Sequence, residues 1–413
     1  MKLTNRQIAE GFYLGYSRID LSSGNWQGMK NAFQDKREIS VEEAKKQLKE
    51  KLCGVISRMM PPVAVCHSGG VDSTLMLCLV RECFEDRDIG IYRAGFTEND
   101  YNEVGLSNEI IKGMKWVKHA AWLNVDAEKI KWLVSRIREY NYRTWFYSSS
   151  LIATAPLYAY CSNSNNSILT GDGGDEVFCG YDRYLLDYYF DNVGANLLLP
   201  FIDKDSRRGK KLRDYIDIGY EGLVRLWPEK LLFDLFGCLA LYNQSFGERC
   251  AEVADIPGMM HKLDRLMLLD IGTELFGVEK QKVDAAAKIA GASVTSPLMD
   301  FDVMKFCAAL PVNMKYRWFT RKWLLREIIK DYIPDFNSMS KKKRGFAVPI
   351  SQWFRKDLNT WLWSQLKDNL YGLDRATVND LMIEHVGGKA DHGEKIWSIL
   401  MWVVLNRKGI IER

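Results

Sequence analysis

The stretch VAVCHSGGVDSTLMLCLVREC, residues 63–83, decides the fold. Val63–Cys66 is a short apolar run suited to a buried strand, and the run from Thr74 to Cys83 reads as an apolar helix. Between them Ser68-Gly69-Gly70-Val71-Asp72-Ser73-Thr74 turns the chain from strand into helix. Upstream, Ser40 reads as a helix N-cap with Glu43 three residues on. Ala44, Leu48, Leu52, Val55 and Ile56 follow at helical spacing until Pro61 and Pro62 stop the helix. Downstream the alternation continues. Ile89–Phe96 reads as a strand, Asn102–Met114 as a helix, residues 116–125 hold a strand, Glu128–Tyr140 is helical and Ser167–Asp172 is a further strand. Such alternation predicts the α/β class, a parallel sheet flanked by helices. Beyond about Tyr181 long helical patterns dominate. The expected organisation is an irregular extension over residues 1–40, an α/β part over 41–190 and a mainly helical C-terminal half over 191–413.

Composition narrows the function. Apolar residues make up 47% of the chain, enough for a sizeable core. Lys and Arg total 57 against 53 acids, a net +4 that suits an anionic ligand such as a nucleotide but does not call for nucleic acid. The nine cysteines are scattered without a CxxC pair, which fits reduced thiols in a cytoplasmic protein. MKLTNRQIAEG lacks an apolar signal core, and the run at Leu231–Tyr242 is too short for a membrane span and carries Asp234. A soluble cytoplasmic protein with no membrane partner is expected.

Two loops carry the chemistry. In the first, Gly69 and Gly70 let the backbone approach a phosphate closely, and the following helix presents its N–H groups and positive dipole end to an anion. The hydroxyls of Ser68, Ser73 and Thr74 add donors, and Asp72 can hold a magnesium ion beside the phosphates. No Lys follows the glycines, so this is not a Walker A loop. It resembles the pyrophosphatase loop (PP-loop) of enzymes that split ATP between its α- and β-phosphates. That resemblance leaves tRNA thiolases, lysidine synthetases, NAD and GMP synthetases and asparagine synthetases open. The second loop, LTGDGGDEVFCGY at residues 169–181, packs three acids among four glycines after a strand. Carboxylates that close repel unless a cation sits between them. Because the carboxyl ends of parallel strands form the ligand crevice, this loop should face the first, and Asp72 and Asp175 could clamp magnesium.

The second loop closely resembles the SGxGxDExFGGY stretch of asparagine synthetases. Further matches follow in order: KVD at 282–284, SPLMDFDVMKFCAALP at 296–311, TRKWLLRE at 320–327 and KKKRGFAVP at 341–349. The resemblance spans about residues 40–355 and implies an adenine nucleotide α-hydrolase-like fold. It also implies ATP and magnesium as cofactors, and an AMP-forming ligase that joins a carboxylate to ammonia or an amine. Carried over position by position, Asp72 and Asp175 match the magnesium aspartates, and Ser68, Gly69, Gly70 and Ser73 match the pyrophosphate cradle. Cys66, Ala94, Thr170, Gly171 and Tyr181 fall where that family holds the nucleotide. Lys343 matches the lysine of the basic loop that stabilises the departing pyrophosphate. Asp172 falls at an acid proposed to accept a proton from the amine, and Glu176 accompanies it among the catalytic positions.

The sequence also departs from that family. Residue 2 is Lys2 where glutamine-dependent members carry a catalytic cysteine, and no Cys–His–acid set for amide hydrolysis is apparent. Nitrogen is therefore expected as free ammonia, as an amine on a substrate, or from a separate glutaminase subunit. Ser293 and Thr295 replace the family's E-x-R, which argues against aspartate as the carboxylate, and Trp145, Phe146 and Tyr147 could wall a larger one. Intramolecular amide formation, as in β-lactam synthetases and lasso-peptide cyclases, stays open, as do a peptide substrate and an oligomer.

Overall fold

The structure, a computed structural model, describes residues 24–98, 101, 104–139, 148–193, 213, 215–216, 220, 229–236, 260–339 and 347–407. Its centre is a five-stranded sheet of order β3-β2-β1-β4-β5, built from β1 (Val63–Cys66), β2 (Ile89–Phe96), β3 (His119–Val125), β4 (Ser167–Leu169) and β5 (Ser293–Thr295). Every pairing is parallel, with Val63 opposite both Ile89 and Ser167, and Ser167 opposite Ser293. Val63, Ala64 and Val65 are fully buried, as befits a central parallel strand covered on both faces. The expected α/β class therefore stands.

Helices cover the sheet in two groups. Val71–Cys83 packs with Val41–Ile56 and Trp323–Lys330, whereas Leu151–Ser162 lies against β2, β3 and β4 and is backed by Lys280–Ala290. Ser40 caps the Val41–Ile56 helix as its sequence predicts, accepting the Glu43 N–H at 3.2 Å. The helical half is anchored by Trp353, Trp397 and Trp402, all fully buried. It also supplies β5, so the sheet is completed from beyond residue 190. No helix among the described residues is long and apolar enough to cross a membrane.

One expectation needs correcting. Within the stretch read as irregular, Gly24–Gln34 forms a helix. Trp26, Met29 and Phe33, at i, i+3 and i+7, are buried against the Phe301–Ala309 helix. Burying each contributes about 1.5–3 kcal/mol. A segment this short is marginal alone, so a partner far along the chain decides its conformation rather than local propensity.

Candidate functional site

The first loop is built where β1 ends. Gly69 sits at φ +81°, and a Cβ there would press on the Leu106 side chain at 2.9 Å and the Ser107 N at 3.2 Å. Ser73 Oγ accepts the Ser68 N–H at 3.2 Å and lies 3.1 Å from Ser68 Oγ, so the two hydroxyls knit the turn. Gly70 precedes the Val71–Cys83 helix in extended conformation and offers no side-chain cap. No cap side chain therefore covers the N–H groups of that first turn. Thr74 departs from expectation. Its hydroxyl is fully buried and bonded to His67 Nε2 at 3.1 Å, while His67 Nδ1 meets Ser107 Oγ at 2.7 Å. It locks the loop from behind instead of adding a donor.

The second loop presses directly onto the first. A Cβ on Gly171 would lie 2.7 Å from the backbone C of Asp72 and N of Ser73, so the loops meet backbone to backbone. A Cβ on Gly174 would collide with the Asp72 carboxylate, and one on Gly180 with Asp175 and Lys322. Glycine at these positions lets Asp72 and Asp175 converge. Their shared neighbour is Lys322, whose Nζ stands 2.5 Å from Asp72 Oδ2 and 2.7 Å from Asp175 Oδ1. Burial alone would depress this ammonium, but the charges of Asp175 and Asp72 outweigh it and raise its pKa. Lys322 is placed by a tight hairpin, β6 (Tyr316–Arg317) with β7 (Thr320–Arg321). Its N–H donates to Phe178 O at 3.1 Å, and Arg321 Nη1 donates to Gly180 O at 2.7 Å.

Deeper in, Lys282 is buried and donates to Asp172 Oδ1 at 3.1 Å and to Glu279 Oε2. Burial would lower its pKa, yet Asp172 and Glu279 hold it above the ordinary lysine value. It follows a π-helical stretch, Ile271–Glu279, a local geometry often found at functional sites. Glu176, 1% exposed, accepts from Tyr181 Oη at 2.6 Å. Burial, reinforced by Asp175, raises the Glu176 carboxyl well above the usual carboxylate range and favours its protonated form. Arg183 stacks on Tyr181, 3.7 Å from the ring centroid, and pairs with Asp270 at 2.6 Å.

The two loops, with Glu279, Lys282, Arg321 and Lys322, line one cleft of about 600 Å³ at the carboxyl ends of the strands. It brings together Cys66, Ser68, Gly70, Asp72, Ser73, Ala94, Thr170, Gly171, Asp172, Asp175, Glu176 and Tyr181, with Gly69 shaping the turn behind. The Cys66 thiol is pushed well above its ordinary pKa by its hydrogen bond with Cys161 and by burial, which makes it packing rather than a nucleophile. Thr170 Oγ1 meets Ser296 Oγ at 2.7 Å, tying β4 to the turn after β5. Lys343 and the aromatic group Trp145–Tyr147 lie outside the described residues. Sequence reasoning missed Lys322 and the Lys282–Glu279 pair. Both lysines lie in stretches matched to the family, KVD and TRKWLLRE, and two acids that must share a locus call for a counter-charge.

The sequence pattern described as asparagine synthase matches residues 55–407 of this chain. Asparagine synthetase [glutamine-hydrolyzing] 1 of Bacillus subtilis is 24% identical over 376 residues, covering 85% of this chain and 57% of that protein. A Mycobacterium tuberculosis protein named for the same activity is 23% identical over 357 residues, covering 82% of this chain and 53% of its own length. The chain thus spans about half the length of these relatives.

Proposed function

The chain belongs to the asparagine synthase family, and on that premise we propose that it is an ATP-dependent ligase that adenylates a carboxylate and forms an amide. The carboxylate oxygen attacks the α-phosphorus of ATP and pyrophosphate leaves. Ammonia or an amine then displaces AMP from the acyl-adenylate. One observation carries this reading: two glycine-built loops touch backbone to backbone at Gly171, so that Asp72 and Asp175 converge beside the open N-terminus of the Val71–Cys83 helix. A triphosphate fits there, because the closely packed glycines leave backbone N–H groups as the lining.

Among the described residues no group of three or more His, Cys, Asp or Glu forms a metal cage. Two carboxylates nevertheless suit magnesium, which takes its remaining ligands from phosphate and water. Bound by Asp72 and Asp175, the ion would neutralise charge on the phosphates. Ser68 and Ser73 orient the cradle, and Cys66, Ala94 and Tyr181 border the nucleotide. Lys343 is assigned to the departing pyrophosphate, since positioned cations stabilise charge that develops on a leaving group. Beside Lys282, Asp172 and Glu279 set two carboxylates against one ammonium. That balance suits an incoming amine, with Asp172 as its proton acceptor. The nitrogen can be ammonia, free or released by a separate glutaminase subunit, an amine on a second substrate, or a group on the same molecule. Phosphorus NMR of reactions with a carboxylate and amine panel tests the reading: AMP and pyrophosphate are expected, whereas ADP and phosphate would refute it.

A further inference from the structure

The two carboxylates proposed to hold a divalent cation already hold a cation that belongs to the chain. Lys322 Nζ is within 2.5–2.7 Å of Asp72 Oδ2 and Asp175 Oδ1, and the residue is 7% exposed. Its attachment is rigid. The residue sits at φ +54° between β7 and the Trp323–Lys330 helix, with its N–H bonded to Phe178 O. Arg321 is bonded to Gly180 O and paired with Asp182 at 2.6 Å, so the hairpin is tied to the acidic loop at Arg321 as well as at Lys322. Gly180 leaves the space that the Lys322 chain and Asp175 fill. This is a built arrangement, with glycine at one side, a left-handed junction at the other and an ammonium between the acids.

We infer that Lys322 is an internal counter-ion that closes the Asp72–Asp175 locus to a free divalent cation, so that the cation enters only together with the nucleotide's phosphates. The inference rests on the nucleotide-and-cation reading above. An ion chelated by those two oxygens would stand beside the ammonium, and like charges at that range repel strongly in a buried site. Incoming phosphates supply the negative charge that lets ammonium and divalent ion share the region. Without phosphates, the ammonium already bonds one oxygen of each carboxylate and offsets one of their two charges. The order of binding is thereby fixed by the chain itself: metal–nucleotide complex, never metal first.

Manganese(II) titration followed by electron paramagnetic resonance tests this on the full chain. In nucleotide-free wild type the free manganese signal should stay undiminished into the millimolar range. With a non-hydrolysable ATP analogue present, the protein should quench the signal beyond the loss caused by the analogue alone, and at far lower concentration. Lys322→Met should tighten nucleotide-free manganese binding by about tenfold or more, through loss of the like-charge repulsion. Tight manganese binding by nucleotide-free wild type would overturn the inference. So would a folded Lys322→Met variant with unchanged nucleotide-free affinity. If that variant fails to fold, the wild-type titration decides alone. Manganese that is not recruited even with the ATP analogue would overturn the nucleotide-and-cation reading itself, a result distinct from tight binding without nucleotide.

Discussion

Lys282→Met removes the ammonium that stands between Asp172 and Glu279. Deleting one partner of a buried ion cluster costs about 3–5 kcal/mol, because the remaining charges stay desolvated and repel. Here each acid is 23% exposed, so water relieves part of that penalty. The expected destabilisation is about 2–4 kcal/mol, a large fraction of an ordinary domain's stability. Glu279→Gln leaves the Lys282–Asp172 pair intact and should cost only about 1 kcal/mol. The double variant should then fall short of the summed losses by about 1–2 kcal/mol, since one of the two orphaned charges is gone. Urea denaturation of all four proteins at pH 7 gives these numbers. The folded pKa of Lys282 lies above its unfolded value. Its contribution is therefore whole below about pH 10 and is lost only as pH rises beyond that. The wild-type-minus-variant difference should accordingly show no lysine-linked decline between pH 7 and 9. A Lys282→Met protein within about 0.5 kcal/mol of wild type, or strict additivity in the cycle, would refute the account of this cluster.

Gly171→Ala places a Cβ 2.7 Å from the Asp72 and Ser73 backbone, forcing the two loops apart. Isothermal titration should show nucleotide affinity reduced by more than tenfold, with a stability cost of about 1–3 kcal/mol. Phe33→Ala, at a 1% exposed site, should cost about 3–5 kcal/mol in urea if the Gly24–Gln34 helix is integral to the core. Lys36 and Lys315 share the buried Asp264, at 2.9 and 3.0 Å. Burial and the Lys315 charge push Lys36 down to about 7. The folded value is below the unfolded one of about 10.4, so Lys36 adds stability as pH rises from 7 towards 10 and forfeits it on the way down. Urea midpoints at pH 7 and 9 should show that slope in wild type and lose it in Lys36→Met; an unchanged slope would contradict the assignment.

What could be read in the sequence was what lies close together along the chain. The run from Val63 to Cys83 carries strand, turn and helix within itself, and Ser40 with Glu43 announces its own cap. The acids of residues 172–176 crowd into one loop, so their chemistry is visible before any fold is known. Lys322 was hidden because TRKWLLRE gives no sign of where its helix starts, and the helix begins at Trp323, leaving Lys322 at a left-handed junction. Its partner Asp72 is 250 residues away. Lys282 was hidden in the same way, as one charge on a helical face until the fold brings Asp172 to it. The Gly24–Gln34 helix escaped notice because three apolar anchors reveal a helix only once the surface they cover is present.

The central claim is that this cleft adenylates a carboxylate. Exchange of labelled pyrophosphate into ATP, with magnesium and a panel of carboxylates, amines and ammonia, tests it most directly, with Asp72→Asn as the control. The account predicts exchange that depends on one carboxylate class and disappears in Asp72→Asn. Silence across the whole panel from a protein that also fails to bind ATP, or exchange that survives Asp72→Asn undiminished, would contradict it.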